Sequence, residues 1–497
     1  MTGTVTRIPL ERVIGALDAA GLLVRVAGAL PDSAAGIGDD SRSLSAEALF
    51  VAVRGVERDG HDYLPQAAAR GATAVIVEDA TRTALPAIVV RAGRQAAAVA
   101  ASAAFDWPAR SLRLIGVTGT NGKTTTVGIL RHLLDGDGGV SASIGTLGVL
   151  TGSAGALAPG GSGLTTPGPI ELQRVLRHLV DSGVRNVAME VSSHSLDQRR
   201  VDGLVFDAAL FTNLTRDHLD YHATMDAYLV AKARLVDYLA PDGVAIVNAD
   251  DPAWEALPAP PRRIAFSAEG RQSNVLAREV AFGPRGSSWT FVAGGIEHPV
   301  RLPLIGSFNV ANALGAAAAA WALGASPELL AERLGTIPQV PGRLEILSET
   351  PTVLRDYAHT PDALARALDA VRPFTRGRLI AVFGCGGDRD RGKRPEMGRV
   401  AVERADLAIA TSDNPRTEDP ERILDDIEAG MGKRAHERVT DRRAAIEQAI
   451  ARADDGDVVV LAGKGHETYQ IRGAEKFPFD EKEIVAEILG ANGRPPR

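Results

Sequence analysis

The chain has 497 residues, with 62 acidic against 55 basic side chains and a formal net charge of −7; that length exceeds one ordinary hydrophobic core and calls for about three domains. No basic block stands out, which argues against nucleic acid as the main partner, and no run of about eighteen apolar residues offers a membrane span. A single cysteine, Cys385, rules out an intrachain disulfide and fits a reducing cytosol.

The first stretch, Met1 to Leu17, carries charges inside its apolar pattern and does not read as a secretory signal, so a cytoplasmic protein is expected. Residues 1–92 read as a small α/β domain. Strands are expected at Ala48–Val53, Ala72–Val77 and Ala87–Val90, with a helix over Tyr63–Arg70. Its polar features, Asp40-Ser41-Arg42 and the loop Arg54–Asp59, are by themselves turn chemistry.

Residues 93–340 form the second domain. A helix leads into the apolar strand Leu112–Val117. Then come Thr118-Gly119-Thr120-Asn121-Gly122-Lys123-Thr124-Thr125-Thr126 and a helical pattern of Val127, Ile129, Leu130, Leu133 and Leu134. Strand, glycine-rich turn, Lys-Thr and helix make a phosphate cradle: the glycines admit the phosphates, and the N–H groups of the helix start favour an anion. Lys123 is placed to reach the β- and γ-phosphates of ATP and Thr124 to hold Mg²⁺. The strict G-x-x-x-x-G-K-[ST] pattern fails, because its first glycine falls on Val117.

Further along, Thr151–Gly163 is rich in glycine, alanine and serine and predicts a mobile loop. A helix follows Pro169. The strand Val187–Val191 carries Glu190 near its C-terminal end, and the strand Ala208–Asn213 runs into a loop bearing His218. Mg²⁺ takes oxygen ligands; Glu190 and His218 join Thr124 as candidates because all three fall at one sheet edge. A helix is expected over Met225–Leu239, with Tyr228, Leu229, Leu235, Val236 and Leu239 in one apolar stripe and Lys232 in its middle. Such a lysine commonly snorkels. If buried, its amine is neutral and able to take up CO₂ as a carbamate, an anionic oxygen ligand. The strand Val244–Asn248 follows, and the alternation from Arg262 to Leu304 predicts antiparallel strands. Asn309 and Asn312 share one face of the next helix, as caps or as an adenine contact.

Residues 341–497 form the third domain, entered through Val340-Pro341-Gly342-Arg343, where Arg343 and Asp356 flank the linker. Strands are expected at Thr352–Arg355, Leu379–Phe383, Leu407–Ala410 and Val458–Ala462, parallel with crossover helices. Each ends in a polar or glycine-rich loop: 356–359, 384–389, 412–416 and 463–467. Ligands of open α/β sheets bind at such strand ends. Arg389 and Arg416 on neighbouring loops are suited to carboxylates, and Glu467 to an ammonium group.

These residues resemble the Mur ligase family: the loop 118–125, Glu190-Val191-Ser192-Ser193-His194, Thr212-Asn213-Leu214 with His218, Asn309–Asn312, Pro341-Gly342-Arg343 and the four loops of the third domain. The resemblance covers the chain and implies three domains: a small N-terminal α/β domain, a central P-loop-type, mostly parallel sheet, and a C-terminal Rossmann-like domain. It implies an ATP-dependent amide-forming ligase working through an acyl phosphate. Its substrates would be UDP-N-acetylmuramoyl-L-Ala-D-Glu and meso-diaminopimelate, with Mg²⁺ as cofactor and a monomer as the expected state.

By the same resemblance, Gly119, Thr120, Asn121, Gly122, Lys123, Thr124, Thr125, Asn309, Arg343 and Asp356 meet ATP. Ser41, Thr165, Thr166, Ser192, Gln198 and Arg200 meet the UDP-dipeptide, and Arg389, Asp413, Asn414, Pro415, Arg416, Gly463 and Glu467 meet diaminopimelate. Lys123, Glu190, His218 and Lys232 are the implied catalytic set, with Lys232 as a carbamate binding metal beside Thr124, Glu190 and His218. Asp413-Asn414-Pro415-Arg416 is the form associated with diaminopimelate; lysine-adding relatives replace the arginine. Val56-Glu57-Arg58 and Leu164 depart from some relatives. Alternatives are a lysine-adding ligase, a folylpolyglutamate synthase-like ligase and a P-loop NTPase switch.

Overall fold

A computed structural model describes residues 7–55, 58–136, 139–161 and 163–491; Val56 and Glu57 of the departing triplet lie outside them. The chain forms two compact units. The first comprises Met1–Leu276, Ala293–Ile296 and Asn312–Leu330, and the second Ala277–Val292, Glu297–Ala311 and Ala331–Arg497.

The first unit opens on a five-stranded sheet in the spatial order 23–27, 87–90, 74–77, 49–51, 37–38, parallel except for its first pair. Ala74–Val77 shows why these strands read as unbroken apolar runs. Ile76 packs with the helices Leu10–Ala19 and Gly93–Ala104, while Val75 and Val77 pack with the helix Leu64–Ala69 on the other face. Side chains alternate between faces, so covering both faces demands apolar residues throughout.

The second sheet carries the phosphate loop. Among its strands are β1 (Arg113–Thr118), β2 (Val140–Gly145), β3 (Val184–Glu190), β4 (Phe206–Phe211), β5 (Leu239–Asn248) and β6 (Arg262–Ser267). They lie in the order β2-β3-β1-β4-β5-β6, all parallel. Helices α1 (Lys123–Leu134), α2 (Pro169–Asp181), α3 (Ser193–Asp197) and α4 (Met225–Ala233) occupy the connections. The register sets Glu190 opposite Val117 and Phe211 opposite Thr118, so the ends of β3, β1 and β4 form one rim.

Three expectations change here. The glycine-rich stretch 151–163 is not simply a loop: Ala156–Ala158 pairs antiparallel with Gly148–Thr151, and Arg131 bonds to the Gly152 carbonyl. The helix expected to reach Leu239 ends at Ala233 and tightens into a 3₁₀ turn over Arg234–Tyr238. β6 is parallel to β5 rather than antiparallel, because residues 249–261, with a 3₁₀ turn at Pro252–Ala256, carry the chain back before it pairs. Further on lie the strands Val275–Gly283, Gly286–Ala293 and Ile296–Leu302 and the helix α5 (Ser307–Ala322).

In the second unit the sheet comprises β7 (Glu345–Glu349), β8 (Thr352–Asp356), β9 (Leu379–Phe383), β10 (Leu407–Ala410), β11 (His436–Arg438) and β12 (Val458–Ala462). The order is β7-β8-β12-β9-β10-β11, and only β7 is antiparallel. Leu379, Ala381 and Phe383 face one core and Ile380 and Val382 the other. Because β12 lies between β8 and β9, the loops after β8, β12, β9 and β10 emerge side by side. A hairpin of β13 (Tyr469–Arg472) and β14 (Glu475–Pro478) follows β12. No helix among the described residues is long and apolar enough to cross a membrane.

Candidate functional site

The candidate residues fall into two sets, one in each unit. In the first, the loop after β1 is pinned to the start of the loop after β4. Thr120 N donates to Asn213 O at 2.7 Å, Asn121 N to Asn213 Oδ1 at 3.0 Å, and Thr212 Oγ1 to Asn121 O at 2.7 Å. The pinning explains two glycines. A Cβ on Gly119 (φ +147°) would fall 1.9 Å from Thr212 Oγ1, and one on Gly122 (φ +86°) 2.2 Å from Asn312 Oδ1. Gly122 caps α1 in the left-handed region with no side-chain acceptor, which leaves the first-turn N–H groups directed at an anion. Thr124 and Thr125 are buried in that turn. Lys123 Nζ donates to the carbonyls of Gly119 (2.9 Å) and Thr120 (2.8 Å).

Lys232 does not snorkel. It is 1% exposed, and its Nζ donates to Gly119 O at 2.8 Å and lies 4.4 Å from the centre of the Tyr228 ring. Burial first, and the neighbouring Lys123 charge second, hold its pKa well below the ordinary lysine value. The apolar stripe of α4 thus delivers a buried nitrogen that holds its proton weakly to the phosphate loop.

Glu190, also 1% exposed, accepts from Thr146 N at 2.8 Å and Thr146 Oγ1 at 3.3 Å. Gly145 has no room for a side chain: a Cβ would lie 2.2 Å from Glu190 Oε1. His218 has φ +53° and stands edge-on to His194 at 4.8 Å, with Asp217 Oδ2 3.6 Å from its Nε2. Burial lowers its pKa, Asp217 opposes that, and Lys123 and Lys232 add to the lowering. His194, packed against Tyr221 and His222 as well, is pushed down to about 4, chiefly by burial and then by His218.

The rim also gathers the residues expected to meet the UDP-dipeptide. Thr166 Oγ1 donates to Glu190 O at 2.9 Å and accepts from Ser192 N at 3.1 Å, and Ser192 caps α3 through Ser195 N. Arg200 donates to Thr166 O at 3.0 Å and forks onto Gln198 Oε1, while Thr165 meets Thr146 at 3.2 Å. Ser41 is not drawn into this network; its hydroxyl donates to Gln66 beside the five-stranded sheet at 2.6 Å. Asn309, buried, donates to Ile305 O at 2.8 Å, a bond back along its own helix start, while its neighbour Asn312 lies against Gly122.

In the second unit the loops converge. A Cβ on Gly386 would meet Arg416 Nη1 at 2.9 Å and Arg389 Cγ at 3.8 Å, so both arginines flank one glycine. Arg416 has φ +53° and is tied to β13 by a single β-bridge: its N donates to Ile471 O, and its O accepts from Gly473 N. Its Nη1 donates to Gly387 O at 2.8 Å, and Pro415 O lies against Gly387. Asn414 donates to Glu467 Oε2 at 2.9 Å, and Gly463 (φ +118°) lies where a Cβ would be 2.5 Å from Asp413 Oδ2. Asp356 accepts from Leu344 N and Ala358 N at 2.8 Å; burial raises its pKa and Arg343 opposes the rise. Arg343 stacks on Tyr357 at 4.9 Å.

Sequence reasoning passed over three participants. Thr146 positions Glu190, Tyr221 joins Gln198 to Asp197 (3.4 and 2.8 Å), and Lys464 lies wholly buried among Asp413, Asn414 and Glu467. Only Lys464 left a signal, a charged residue between two glycines at the end of an apolar strand. Among the described residues no three His, Cys, Asp or Glu side chains form a metal-holding group. A hydroxyl, a buried carboxylate and an imidazole at one rim, with an amine able to become an oxygen ligand, fit a hard cation that keeps waters and takes phosphate oxygens.

Comparison with known proteins gives one answer across the chain. Family profiles match residues 33–106 (Mur ligase family, catalytic domain), 117–320 (Mur ligase middle domain) and 342–465 (Mur ligase, glutamate ligase domain). The UDP-N-acetylmuramoyl-L-alanyl-D-glutamate–2,6-diaminopimelate ligase of Gloeobacter violaceus is 45% identical over 471 residues, covering 93% of this chain and 95% of that one. A solved structure of a ligase with the same name superposes with a TM-score of 0.68 at 32% identity, covering 95% and 98% of the two chains. The MurF ligase of Thermotoga maritima in complex with ADP shares the fold, with a TM-score of 0.65 at 20% identity over 92% and 97%.

Proposed function

The chain belongs to the Mur ligase family, and we propose that it is the ATP-dependent ligase that adds meso-diaminopimelate to UDP-N-acetylmuramoyl-L-alanyl-D-glutamate in peptidoglycan precursor synthesis. Residues 1–92 bind the uridine end, 93–340 bind ATP and 341–497 bind the amino acid. The enzyme acts as a monomer in the cytoplasm. The observation that carries the choice of amino acid is the pairing of Arg389 and Arg416 across Gly386, beside Asp413, Asn414 and Glu467. Diaminopimelate brings a distal carboxylate for the arginines and a distal ammonium for Glu467. Lysine offers no such carboxylate.

The reaction is two displacements. A carboxylate oxygen of the D-glutamyl end attacks the γ-phosphorus of ATP; the bond to the bridging oxygen breaks, leaving ADP and an acyl phosphate. The lone pair of the incoming amine then attacks the acyl carbon. The amine gives up its proton, the carbon–oxygen bond to phosphate breaks, and an amide remains. Negative charge moves in both steps, so fixed donors do the work. Lys123 and the N–H groups opening α1 hold the transferred phosphoryl group. Thr165, Thr166, Ser192, Gln198 and Arg200 orient the dipeptide.

Thr124, Glu190, His218 and Lys232 would hold Mg²⁺, which when bound neutralises phosphate charge. Lys232 takes its part by attacking CO₂ through its neutral amine, losing a proton and becoming a carbamate. The buried amine of Lys232, beside Lys123, is what supports that assignment.

Phosphate release tests the reading, measured with ATP, UDP-N-acetylmuramoyl-L-Ala-D-Glu and, in turn, meso-diaminopimelate, L-lysine or no amino acid. Release with diaminopimelate alone is expected. Turnover with lysine but not diaminopimelate overturns the pocket assignment. Strong release without any amino acid overturns the ligase in favour of an NTPase.

A further inference from the structure

Lys464 is the least exposed charged group of the amino-acid loops: its side chain is 0% exposed, against 18% for Glu467 and 9% for Asp413. A buried ammonium is costly unless paired. Here its Nζ lies 3.1 Å from Asn414 Oδ1, 3.3 Å from Glu467 Oε2 and 3.9 Å from Asp413 Oδ1. The contacts close a ring. Asn414 Oδ1 accepts from both Lys464 and Ile471 N (2.9 Å), which fixes its amide orientation and sends Nδ2 to Glu467 Oε2 at 2.9 Å. Lys464 bonds that same Oε2, and Glu467 N closes the turn onto Lys464 O at 3.0 Å. Among the described residues no hydrogen bond is made to Glu467 Oε1.

One carboxylate oxygen is therefore held by two donors from two loops, and the other is left for a ligand. Gly463 makes the approach possible, since a side chain there would strike Asp413.

We propose that Lys464 is a positioning residue for the diamino acid: with Asn414 it locks Glu467 Oε2, so that Oε1 is presented to the distal ammonium of the substrate. This rests on the assignment of Glu467 as the ammonium partner. Lys464 does not touch the substrate. It also offsets Asp413 and Glu467, so that the ammonium meets one oriented oxygen rather than two repelling carboxylates.

The test pairs substrate with residue. L-2-Aminopimelate keeps the attacking amine and both carboxylates of diaminopimelate and lacks only the distal amine. The ratio of kcat/KM for diaminopimelate to that for 2-aminopimelate is measured in the wild type and in Lys464→Met, Lys464→Gln and Glu467→Gln. A general loss of packing lowers both rates and leaves the ratio alone.

A wild-type ratio of about 30 or more is expected, the usual reach of a desolvated charge pair. It should fall to about 3 in Lys464→Met while the KM for ATP stays within about threefold. If Lys464→Met does not fold, Lys464→Gln is read in the same way. A ratio unmoved by the Lys464 variants but collapsed by Glu467→Gln overturns the role of Lys464 alone. A ratio unmoved by Glu467→Gln overturns the ammonium assignment on which it rests.

Discussion

Replacing Lys232 by methionine removes a charge-bearing group from a fully buried site with little change of shape. Lys123 Nζ and Lys232 Nζ donate to the same Gly119 oxygen, at 2.9 and 2.8 Å, so the two nitrogens are at most about 5.7 Å apart. Two ammonium charges at that separation repel by about 3 kcal/mol at an effective dielectric of about 20. Burial is the larger cause, and this repulsion adds to it in lowering the pKa of Lys232.

The sign of the consequence follows. Burial holds the folded pKa of Lys232 well below its ordinary, unfolded value. The unfolded state therefore binds more protons between the two values, and stability contributed at this site rises with pH up to the ordinary one. The slope is about 1.4 kcal/mol per pH unit. In CO₂-free buffer at pH 8, proton uptake on denaturant unfolding should be about one proton per molecule greater for wild type than for Lys232→Met. Equal uptake in the two proteins would refute the neutral amine, and with it the carbamate. A second reading uses ¹³C-bicarbonate, which should give a carbamate resonance in wild type and none in the variant. Lys232→Ala should lower turnover by about 100-fold or more, with partial return on adding short carboxylic acids.

Arg416→Ala should cost about 2 kcal/mol or more in kcat/KM for diaminopimelate and little for ATP; equal losses for both substrates in initial-rate assays would contradict its placement. Gly145→Ala would force a Cβ to within 2.2 Å of Glu190 Oε1. It should lower kcat about tenfold or more while leaving the KM for diaminopimelate nearly unchanged. His194, held down to about 4 by burial, stays neutral when folded but charges when unfolded. Stability should therefore fall as pH drops from 6.5 towards about 4. The ring is partly exposed, so the loss is about 1 kcal/mol, and urea titrations of His194→Gln should lack it.

Local rules made some of this legible from the sequence. Leu379–Phe383, Leu407–Ala410 and Val458–Ala462 read correctly to the residue because strands covered on both faces must be apolar throughout. The phosphate loop was legible because its glycines, lysine and threonine are contiguous. Lys232 was legible as an interruption of a helical stripe, although sequence could not separate burial from snorkelling.

What was missed depends on pairing at a distance. Ala156–Ala158 looks like a loop because small residues form a strand there only through its partner strand. β6 alternates like a hairpin strand, and its parallel direction is set by the crossover before it. Lys464 is 50 residues from Asn414 in the chain, so no spacing rule joins them. Ser41 shows the reverse case: the family resemblance groups it with Thr165 and Arg200, while its hydroxyl bonds Gln66.

The central claim is that arginine loops of the third segment choose a diamino acid with a second carboxylate. It is tested most directly by competition: enzyme, ATP and UDP-N-acetylmuramoyl-L-Ala-D-Glu with equimolar meso-diaminopimelate and L-lysine, and mass analysis of the nucleotide product. The diaminopimelyl product should form almost alone, and Arg416→Ala should lose that preference. A lysyl product from the wild type, or an unchanged preference in Arg416→Ala, would contradict it.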